Sequence, residues 1–342
     1  MRSIEWTGDA IDIIDQTLLP GALRIRRLAD IDDVVDAIER LAIRGAPALG
    51  VIGGYAVALA LRLHPPATDG EAFTRAVARV RNARPTAVNL ARMVDRVAAV
   101  VETSGGDHGQ TLAAAHAIRD EELQASLAMG ERGADLVTAL VGDRPIRAMT
   151  ICNTGGLATV ERGTALAVIQ TLHERGRLAE ALPVETRPLL QGGRLTTWEL
   201  ERMGAPYRLA VDGAGPFLLA RGHADVVLIG ADRVAANGDT ANKVGSFSLS
   251  LGAAHAGVPF IVVAPESTLD PATPDGAGIE IEDRGPDEVR TAHGHPITPP
   301  TAPAVNPAFD VTPSSLITAV VTDRRTIRLD QGERIDQPLP GA

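Results

Sequence analysis

The apolar positions of the chain follow two rhythms, and the change between them falls near residue 144. Short strand-like runs at SIEW, AIDIID and ALRIRRL are separated by Gly, Asp and Pro, which predicts a small antiparallel sheet over the first 28 residues. From about residue 30 to residue 142 the apolar residues recur at three- and four-residue spacing, as in IDDVVDAIERLAI and APALGVIGGYAVALALRL. This spacing predicts helices.

After residue 144 strand-like runs alternate with helical segments. The predicted strands are IRAMTIC, LPVETR, YRLAV, DVVLIGA, PFIVVAP and ITAVVTD, and the helical segments include GTALAVIQTLHERG, RLTTWELERMG and GSFSLSLGAAHAG. Strands that alternate with helices of this length predict β-α-β units, and therefore a parallel sheet covered by helices on both faces. The fold class predicted for the whole chain is α/β.

The same patterns predict the domain organisation. We expect a mixed, mainly helical domain over residues 1–143, a catalytic domain with the parallel sheet over 144–330, and a loose tail over 331–342. Residues 272–313 are rich in Pro, Gly and His, and this segment is long enough to form a lid or a subunit contact.

Composition excludes several functions. The formal net charge is -10, the pI is about 5.3 and aromatic residues make up 3% of the chain, which argues against a nucleic-acid groove or a base-stacking surface. One cysteine is typical of a reducing compartment. The first thirty residues lack the apolar core of a signal peptide, and no uninterrupted apolar run approaches the length of a membrane span. We expect a cytoplasmic protein that binds neither nucleic acid nor membranes.

The string TICNTGGLATVERGT contains the only cysteine, Cys152, where a predicted strand ends and a glycine turn leads into a helix. The dipole of a helix N-terminus favours the thiolate, which can act as a base or nucleophile. A lone cysteine at a strand end is also often a small buried hydrophobe. The polar neighbours Asn153 and Thr154, followed by Gly155 and Gly156, favour the functional interpretation, and the turn could also hold a phosphate.

The string LIGADRVAANGDTANKVGSFSLS places Asp232 directly after a predicted buried strand. Ligands of parallel sheets bind at the carboxyl ends of the strands, and burial there would raise the pKa of the carboxyl as a general acid requires. The alternative is a structural ion pair between Asp232 and Arg233. Asn242 and Lys243 are expected to open the next helix. Lys243 is the only lysine, a compact point charge that suits a phosphate or hydroxyl site.

Weaker signals lie elsewhere. Arg44 in IRGAPALG stands at a break between predicted helices and could contact a phosphate, although an ordinary helix joint explains it as well. Arg84 in ARPTAVNL lies beside Pro85 and Thr86, which are typical of a helix start.

The string ETRPLLQGGRLTTWEL forms either a polar pocket or a surface ion-pair cluster. DGAGPF is an incomplete dinucleotide motif, and HGH at 293–295 is expected in a solvent-exposed loop. With no zinc-type spacing, we predict no metal.

Seven strings in order, RGAPALG, RPTAVNL, TICNTGGLAT, ETRPLLQGGRLTTWEL, GADRVAANGDTANKVG, APESTLD and NPAFDVTP, resemble the methylthioribose-1-phosphate isomerase family between about residues 40 and 320. That superfamily also includes ribose-1,5-bisphosphate isomerase and regulatory subunits of the translation initiation exchange factor. The resemblance implies that Cys152 and Asp232 form the catalytic acid–base pair. It also implies substrate contacts at Arg44, Gly45, Ala46, Arg84, Gln191, Asn242 and Lys243.

The activity implied by the resemblance is aldose–ketose isomerisation of 5-methylthioribose 1-phosphate in methionine salvage. It further implies a homodimer, no cofactor, and a Rossmann-like C-terminal domain without a nucleotide. The alternatives are ribose-1,5-bisphosphate isomerisation and a non-catalytic regulatory subunit, and the TICNTGG turn favours an enzyme. DGAGPF departs from the Asp followed by Met-Ala-Ala that the resemblance implies, which concerns local helix packing or the dimer contact.

Overall fold

A computed structural model describes residues 2–84, 87–292 and 294–337. It divides into two compact units. Unit 1 is Met1–Gln124 with Gly156–Gly163, and unit 2 is Ala125–Gly155 with Thr164–Ala342. The sequence-based boundaries at 143/144 and 330/331 stay a prediction. Pro85, Thr86 and His293, and the end of the predicted tail, lie outside the described residues.

Unit 1 begins with the small antiparallel sheet that the sequence predicts, with strand order β1-β2-β3. Its strands are Ile4–Trp6, Ile11–Ile14 and Ile25–Leu28. Asp30 then starts the first helix by accepting a hydrogen bond from the Asp33 N–H, as N-cap aspartates do. The helices that follow are α1 Ile31–Glu39, α2 Ala46–Leu63, α3 Pro66–Asn82, α4 Val88–Thr103 and α5 His108–Val141, and α5 continues into unit 2.

Helix α2 is the core helix of unit 1. By length and composition it is apolar enough to cross a membrane, yet 78% of its most apolar window is buried inside the structure. Its glycines allow close packing, because a Cβ on Gly53 would lie 2.9 Å from Leu90 Cδ1 of α4. Burial among its neighbours therefore accounts for the composition of α2.

Unit 2 contains a six-stranded sheet with the order β15-β14-β9-β6-β4-β5. Five strands are parallel and β15 pairs antiparallel at the edge. The strands are β4 Ile146–Thr150, β5 Leu178–Pro183, β6 Val226–Ile229, β9 Phe260–Val263, β14 Ala319–Val321 and β15 Thr326–Ile327. Counted along the chain, the parallel strands have the order 2-1-3-4-5 of doubly wound sheets, and the order reverses between β4 and β6.

Helices bury both faces of this sheet. Val226 and Leu228 of β6 pack into one apolar cluster with α6, whereas Val227 and Ile229 pack into another with α8 and α9. Successive strand residues point to opposite faces, so both clusters are needed to bury β6 completely. The helices are α6 Ala165–Glu174, α7 Thr197–Arg202, α8 Gly215–Ala220 and α9 Ser246–Ala256. The predicted α/β fold, with its N-terminal sheet, helical region and mostly parallel sheet, is confirmed.

Several details of the prediction are wrong. LPVETR overlaps β5 only at Leu182 and Pro183. YRLAV forms isolated bridges to β5 rather than a regular strand. A second sheet, order β10-β7-β8-β13, was not predicted, and its strands are β7 Arg233–Ala235, β8 Thr240–Lys243, β10 Leu269–Asp270 and β13 Phe309–Thr312. Residues 272–313 therefore contain regular structure, which includes β13, the short helix α10 Asp287–Arg290 and the hairpin strands β11 Thr291–Ala292 and β12 His295–Pro296.

Candidate active site

The backbone of Cys152 has an unusual conformation that its neighbours hold in place. Strand β4 ends at Thr150, two residues before the position predicted from sequence, and Cys152 has a φ of 65°. Few residues other than glycine adopt this left-handed region of positive φ, and such conformations cluster at functional sites. The Cys152 N–H donates to Thr186 Oγ1 at 2.8 Å, and its carbonyl accepts from Thr196 Oγ1 at 2.6 Å. Two threonines thus fix the peptide groups on both sides of the thiol.

The polar turn after Cys152 packs against α7 and α6. Asn153 Nδ2 donates to Glu199 Oε1 at 2.6 Å, and Thr154 Oγ1 accepts from the Leu166 N–H at 3.1 Å. The expected helix does not follow the cysteine directly, because α6 begins only at Ala165. The turn instead meets the first turn of α6 through Thr154. The assumption that Cys152 stands at a helix N-terminus in sequence is wrong.

The sheet order places the two proposed catalytic groups after neighbouring strands. Strands β4 and β6 pair directly, with Thr150 opposite Leu228, and Cys152 and Asp232 follow their carboxyl ends. This is the point where the strand order reverses, and ligands of doubly wound sheets bind in the crevice that such a reversal opens. The Asp232 N–H donates to the Ala241 carbonyl at 2.9 Å. Its side chain is exposed, so the expected burial of this carboxyl is not found in the isolated chain.

Asn242 and Lys243 end strand β8 rather than opening a helix, which corrects the sequence interpretation. Both are buried. Lys243 Nζ donates to the Ala308 carbonyl at 2.6 Å and lies 4.7 Å from the centre of the Phe309 ring, and Asn242 Nδ2 donates to Ser246 Oγ at 2.8 Å. Buried polar groups are normally hydrogen-bonded, and these contacts supply the partners. The second sheet therefore fixes both side chains, and the Asp232 N–H bonds to the neighbouring residue Ala241 of the same strand.

Asp310 is a charged group of this region that the sequence analysis did not single out. It lies opposite Asn242 in the β8–β13 pair, and its Oδ2 accepts from the Gly245 N–H at 2.7 Å and the Phe247 N–H at 3.2 Å. The carboxyl thereby caps α9. Burial raises the pKa of Asp310 to about 6, against the opposing effects of these N–H groups and of Lys243. Asp310 is part of the NPAFDVTP string, but nothing in that string indicates this role.

We expect Asp310→Asn to remove a pH dependence of stability. The folded carboxyl binds its proton more tightly than the unfolded one at 3.8, so the contribution of Asp310 to the free energy of unfolding is greatest below about pH 4 and is lost as the pH rises through about 6. At about 1.4 kcal/mol per pKa unit the decrease is about 2–3 kcal/mol at most. The Asn oxygen still caps α9 but does not titrate. Urea denaturation between pH 4 and 7.5 should show that the free energy of unfolding of wild type, relative to that of the variant, decreases by this amount as the pH rises.

Asp239 supplies the matched control. Burial acts to raise the pKa of Asp239, but hydrogen bonds from Asn237, Ser314 and Gly276 lower it overall. Its stabilising contribution is therefore present at neutral pH and lost as the pH falls, so Asp239→Asn should cost most stability near pH 7. Parallel pH profiles for wild type and Asp310→Asn would contradict the prediction.

Gln191 stands at the start of a π-helix, Gly192–Thr196, that leads into α7. Its side chain is buried, and within the described part of the chain no donor reaches Gln191 Oε1. Short π-helical turns occur frequently at functional sites, and a buried acceptor of this kind suits a hydroxyl donor from a ligand. The polar-pocket interpretation of the ETRPLLQGG string is therefore favoured for this residue.

The other predicted substrate contacts lie in unit 1. Gly45 has a φ of 95° and caps α2, and a Cβ there would overlap the Ala158 carbonyl oxygen of the same unit. The Ala46 carbonyl accepts from Asn89 Nδ2 at 2.7 Å, which joins the start of α2 to α4. Arg44 and Arg84 are half-buried. The substrate-contact role of these four residues stays a prediction.

Unit 2 brings together several of the predicted residues. The Thr186–Thr196 segment contains Gln191, and its terminal threonines bond to Cys152 and Asn153. The Asp232 N–H bonds to strand β8, which also carries Asn242 and Lys243. Of the residues that hold them, sequence reasoning included Thr186 in the possible polar pocket of the ETRPLLQGG string and missed Thr196, Glu199, Asp212 and Asp310. Their partners are distant in sequence, so no local spacing revealed them. Among residues 2–84, 87–292 and 294–337 no group of three or more His, Cys, Asp or Glu is placed to hold a metal.

The fold and the site define an α/β protein whose polar turn and carboxylate follow neighbouring strands at the reversal of a doubly wound sheet. The family model that matches residues 42–327 is the initiation factor 2 subunit family, and the chain belongs to this family.

Relatives within the family carry isomerase names. A relative from Anaeromyxobacter sp. (strain K), methylthioribose-1-phosphate isomerase, is 47% identical over 94% of this chain and 91% of its own length. A relative from Nocardia farcinica named "Probable bifunctional methylthioribose-1-phosphate isomerase/methylthioribulose-1-phosphate dehydratase" is 48% identical over 97% of this chain. The chain spans 61% of the length of that second relative.

Two solved structures share the fold. The structure of 5-methylthioribose 1-phosphate isomerase from Pyrococcus horikoshii OT3 has a TM-score of 0.89 and 37% identity, covering 96% of this chain and 92% of the other. The structure of the translation initiation factor eIF-2B, subunit delta, from A. fulgidus has a TM-score of 0.85 and 35% identity, covering 96% of each chain. The fold is thus similar to that of a protein named as an isomerase and to that of a protein named as a translation initiation factor subunit.

Proposed function

We propose that this chain is an aldose–ketose isomerase that converts 5-methylthioribose 1-phosphate to 5-methylthioribulose 1-phosphate in methionine salvage. The observation that supports it most is the position of Cys152 and Asp232 after the paired strands β4 and β6, where the sheet order reverses. The names of relatives at 47% and 48% identity support the substrate.

In the proposed mechanism the sugar ring must open first, because phosphate on C1 leaves no free aldehyde. Asp232 donates a proton to the ring oxygen, and substrate lying over this exposed side chain excludes water from it. One hydrogen then moves from C2 to C1. Either the Cys152 thiolate takes the C2 proton and returns it to C1, or a hydride passes directly between the carbons while Cys152 and Asp232 manage the hydroxyl protons. Lys243 and Asn242 would bind phosphate or hydroxyl oxygens.

We further propose that the enzyme is a homodimer. In the isolated chain Phe217 of α8 is 64% exposed and Leu251 of α9 is 48% exposed, and the two helices pack against each other. Exposed apolar surface of this kind often marks a protein interface. The DGAGPF string, which departs from the family pattern, includes the start of α8, so the dimer contact would differ locally from that of relatives.

Purified protein is expected to isomerise 5-methylthioribose 1-phosphate with a kcat of roughly 1–10³ s⁻¹, as typical enzymes do. Ribose 1,5-bisphosphate should react at least about 100-fold less efficiently, because its second phosphate would need a further basic cluster to replace its hydration. Product formation is followed by NMR, and the mass of the assayed species by light scattering. Preferred turnover of the bisphosphate would reassign the substrate.

The same assay separates the enzyme from a non-catalytic subunit, since the A. fulgidus relative is named as a subunit of a translation initiation factor. A folded protein that turns over neither sugar, and that is stable only in a hetero-oligomer, would contradict the proposal. Run in D2O, the assay also discriminates between the two routes of hydrogen transfer. Deuterium at C1 of the product would exclude direct hydride transfer.

A further inference from the structure

A chain of hydrogen bonds links Asp212 to the proposed catalytic cysteine. Asp212 Oδ1 accepts from the Thr186 N–H at 2.7 Å, and Oδ2 accepts from the Arg187 N–H at 2.6 Å. One carboxylate thus binds two successive peptide N–H groups. Hydrogen bonds to an ionised acceptor are the stronger kind, and two of them from neighbouring residues fix the orientation of the peptide between them.

The residue held in this way is strained. Thr186 is fully buried and has a φ of 67°, which is unusual for a β-branched side chain. Such a conformation persists only when surrounding contacts determine it. The Asp212 carboxylate supplies these contacts from outside the loop, since it lies on the short turn before α8.

Thr186 passes this constraint to Cys152. Its Oγ1 donates to the Val184 carbonyl at 3.0 Å and accepts from the Cys152 N–H at 2.8 Å. The hydroxyl therefore lies between the end of β5 and the residue with the thiol. Cys152 also has a left-handed backbone, so both strained residues meet at this one hydroxyl.

We propose that Asp212 is a positioning residue of the isomerase, which holds the Cys152 thiol in its reactive orientation through Thr186. This inference rests on the proposed function for its catalytic consequence. It does not require contact between Asp212 and the substrate. Asp212, the first residue of DGAGPF, would thus belong to the active site, although the rest of this string departs from the family pattern.

The test uses Asp212→Ala in the full-length protein. We expect kcat to fall about 100-fold with KM within threefold of wild type, since a displacement of about 1 Å at a reacting group can cost this much. Cys152 is the only cysteine, so alkylation by iodoacetamide reports on it alone. Because Cys152 is only 9% exposed, a loosened turn should raise the alkylation rate at least fivefold.

Asp225→Asn is the matched control. Asp225 is a buried aspartate that, like the half-buried Asp212, accepts from a peptide N–H, that of Arg147 at 2.8 Å, but it precedes β6 and therefore lies at the amino end of the strands. This variant should lose stability and keep the wild-type kcat and alkylation rate. If Asp212→Ala likewise keeps both, or if its alkylation slows, the inference is overturned and Asp212 is only structural.

A second pair of variants tests the inference if the Asp212→Ala protein does not fold. Thr186→Val removes the hydroxyl that bonds Cys152 and should reproduce the loss of kcat and the faster alkylation, whereas Thr186→Ser should rescue both. Equal behaviour of Val and Ser would overturn the inference. If the wild-type protein shows no isomerase activity, the proposed function fails, but the alkylation rates still decide whether Asp212 holds Cys152.

Discussion

Replacing Cys152 by serine is expected to lower kcat by roughly 10²–10⁴-fold while the protein remains folded. The thiolate is the reactive form of cysteine, and a serine hydroxyl does not ionise near neutral pH, so the variant has no comparable base. Acid–base catalysis by one side chain typically contributes about 10²–10⁴-fold. The backbone contacts of Cys152 with Thr186 and Thr196 use its N–H and carbonyl, which serine retains.

The measurement is steady-state turnover with 5-methylthioribose 1-phosphate, accompanied by the thermal midpoint of unfolding. Thr138→Ala serves as a control, because Thr138 lies on α5 and its hydroxyl donates to the Ala134 carbonyl one turn earlier in the same helix. The control should keep wild-type turnover. A Cys152→Ser protein that works within tenfold of wild type would remove the thiol from the mechanism and leave Asp232 without its proposed partner.

The central strands of the parallel sheet could be predicted because they are apolar runs buried on both faces. DVVLIGA and PFIVVAP show this pattern, and both became fully buried central strands. The order of the strands could not be predicted from the same runs. It depends on pairing between segments distant in sequence, and it is this order that places Cys152 and Asp232 after neighbouring strands.

The second sheet was missed because its strands are short and carry polar residues. Asn242 and Lys243 of TANK were expected to open a helix, yet TANK is a strand that pairs with Phe309–Thr312. The left-handed backbone of Cys152 and Thr186 was equally invisible, since glycine is the usual signal for that conformation. Both residues are held by side chains from other segments, such as Asp212, and no local pattern reports such contacts.

Gly192 and Gly193, the first two residues of the π-helix after Gln191, should respond very differently to substitution by alanine. A Cβ on Gly192 would overlap the Val184 carbonyl oxygen and lie 2.9 Å from Thr186 Oγ1, whereas the nearest atom to a Cβ on Gly193 is 3.8 Å away. Neither glycine has a positive φ, so the difference is one of space alone.

Gly192→Ala is therefore expected to destabilise the protein by about 3 kcal/mol or more, at the upper end of what overpacking costs. Gly193→Ala should change stability by less than about 1 kcal/mol, with a small gain available because alanine favours helices over glycine. Urea denaturation of both variants at pH 7.5 measures the difference. Equal effects would show that the Val184 carbonyl moves aside at little cost.

The same comparison reaches the active site, because the atoms in the way of Gly192→Ala are those that hold Cys152. If the backbone shifts to admit the methyl group, Val184 and Thr186 must move, and the hydrogen bond from the Cys152 N–H moves with them. We therefore expect any folded Gly192→Ala protein to lose turnover as well, at least about 10-fold. Gly193→Ala leaves these atoms in place and should retain it. Loss of stability without loss of turnover would show that this close packing supports the fold and does not contribute to positioning the thiol.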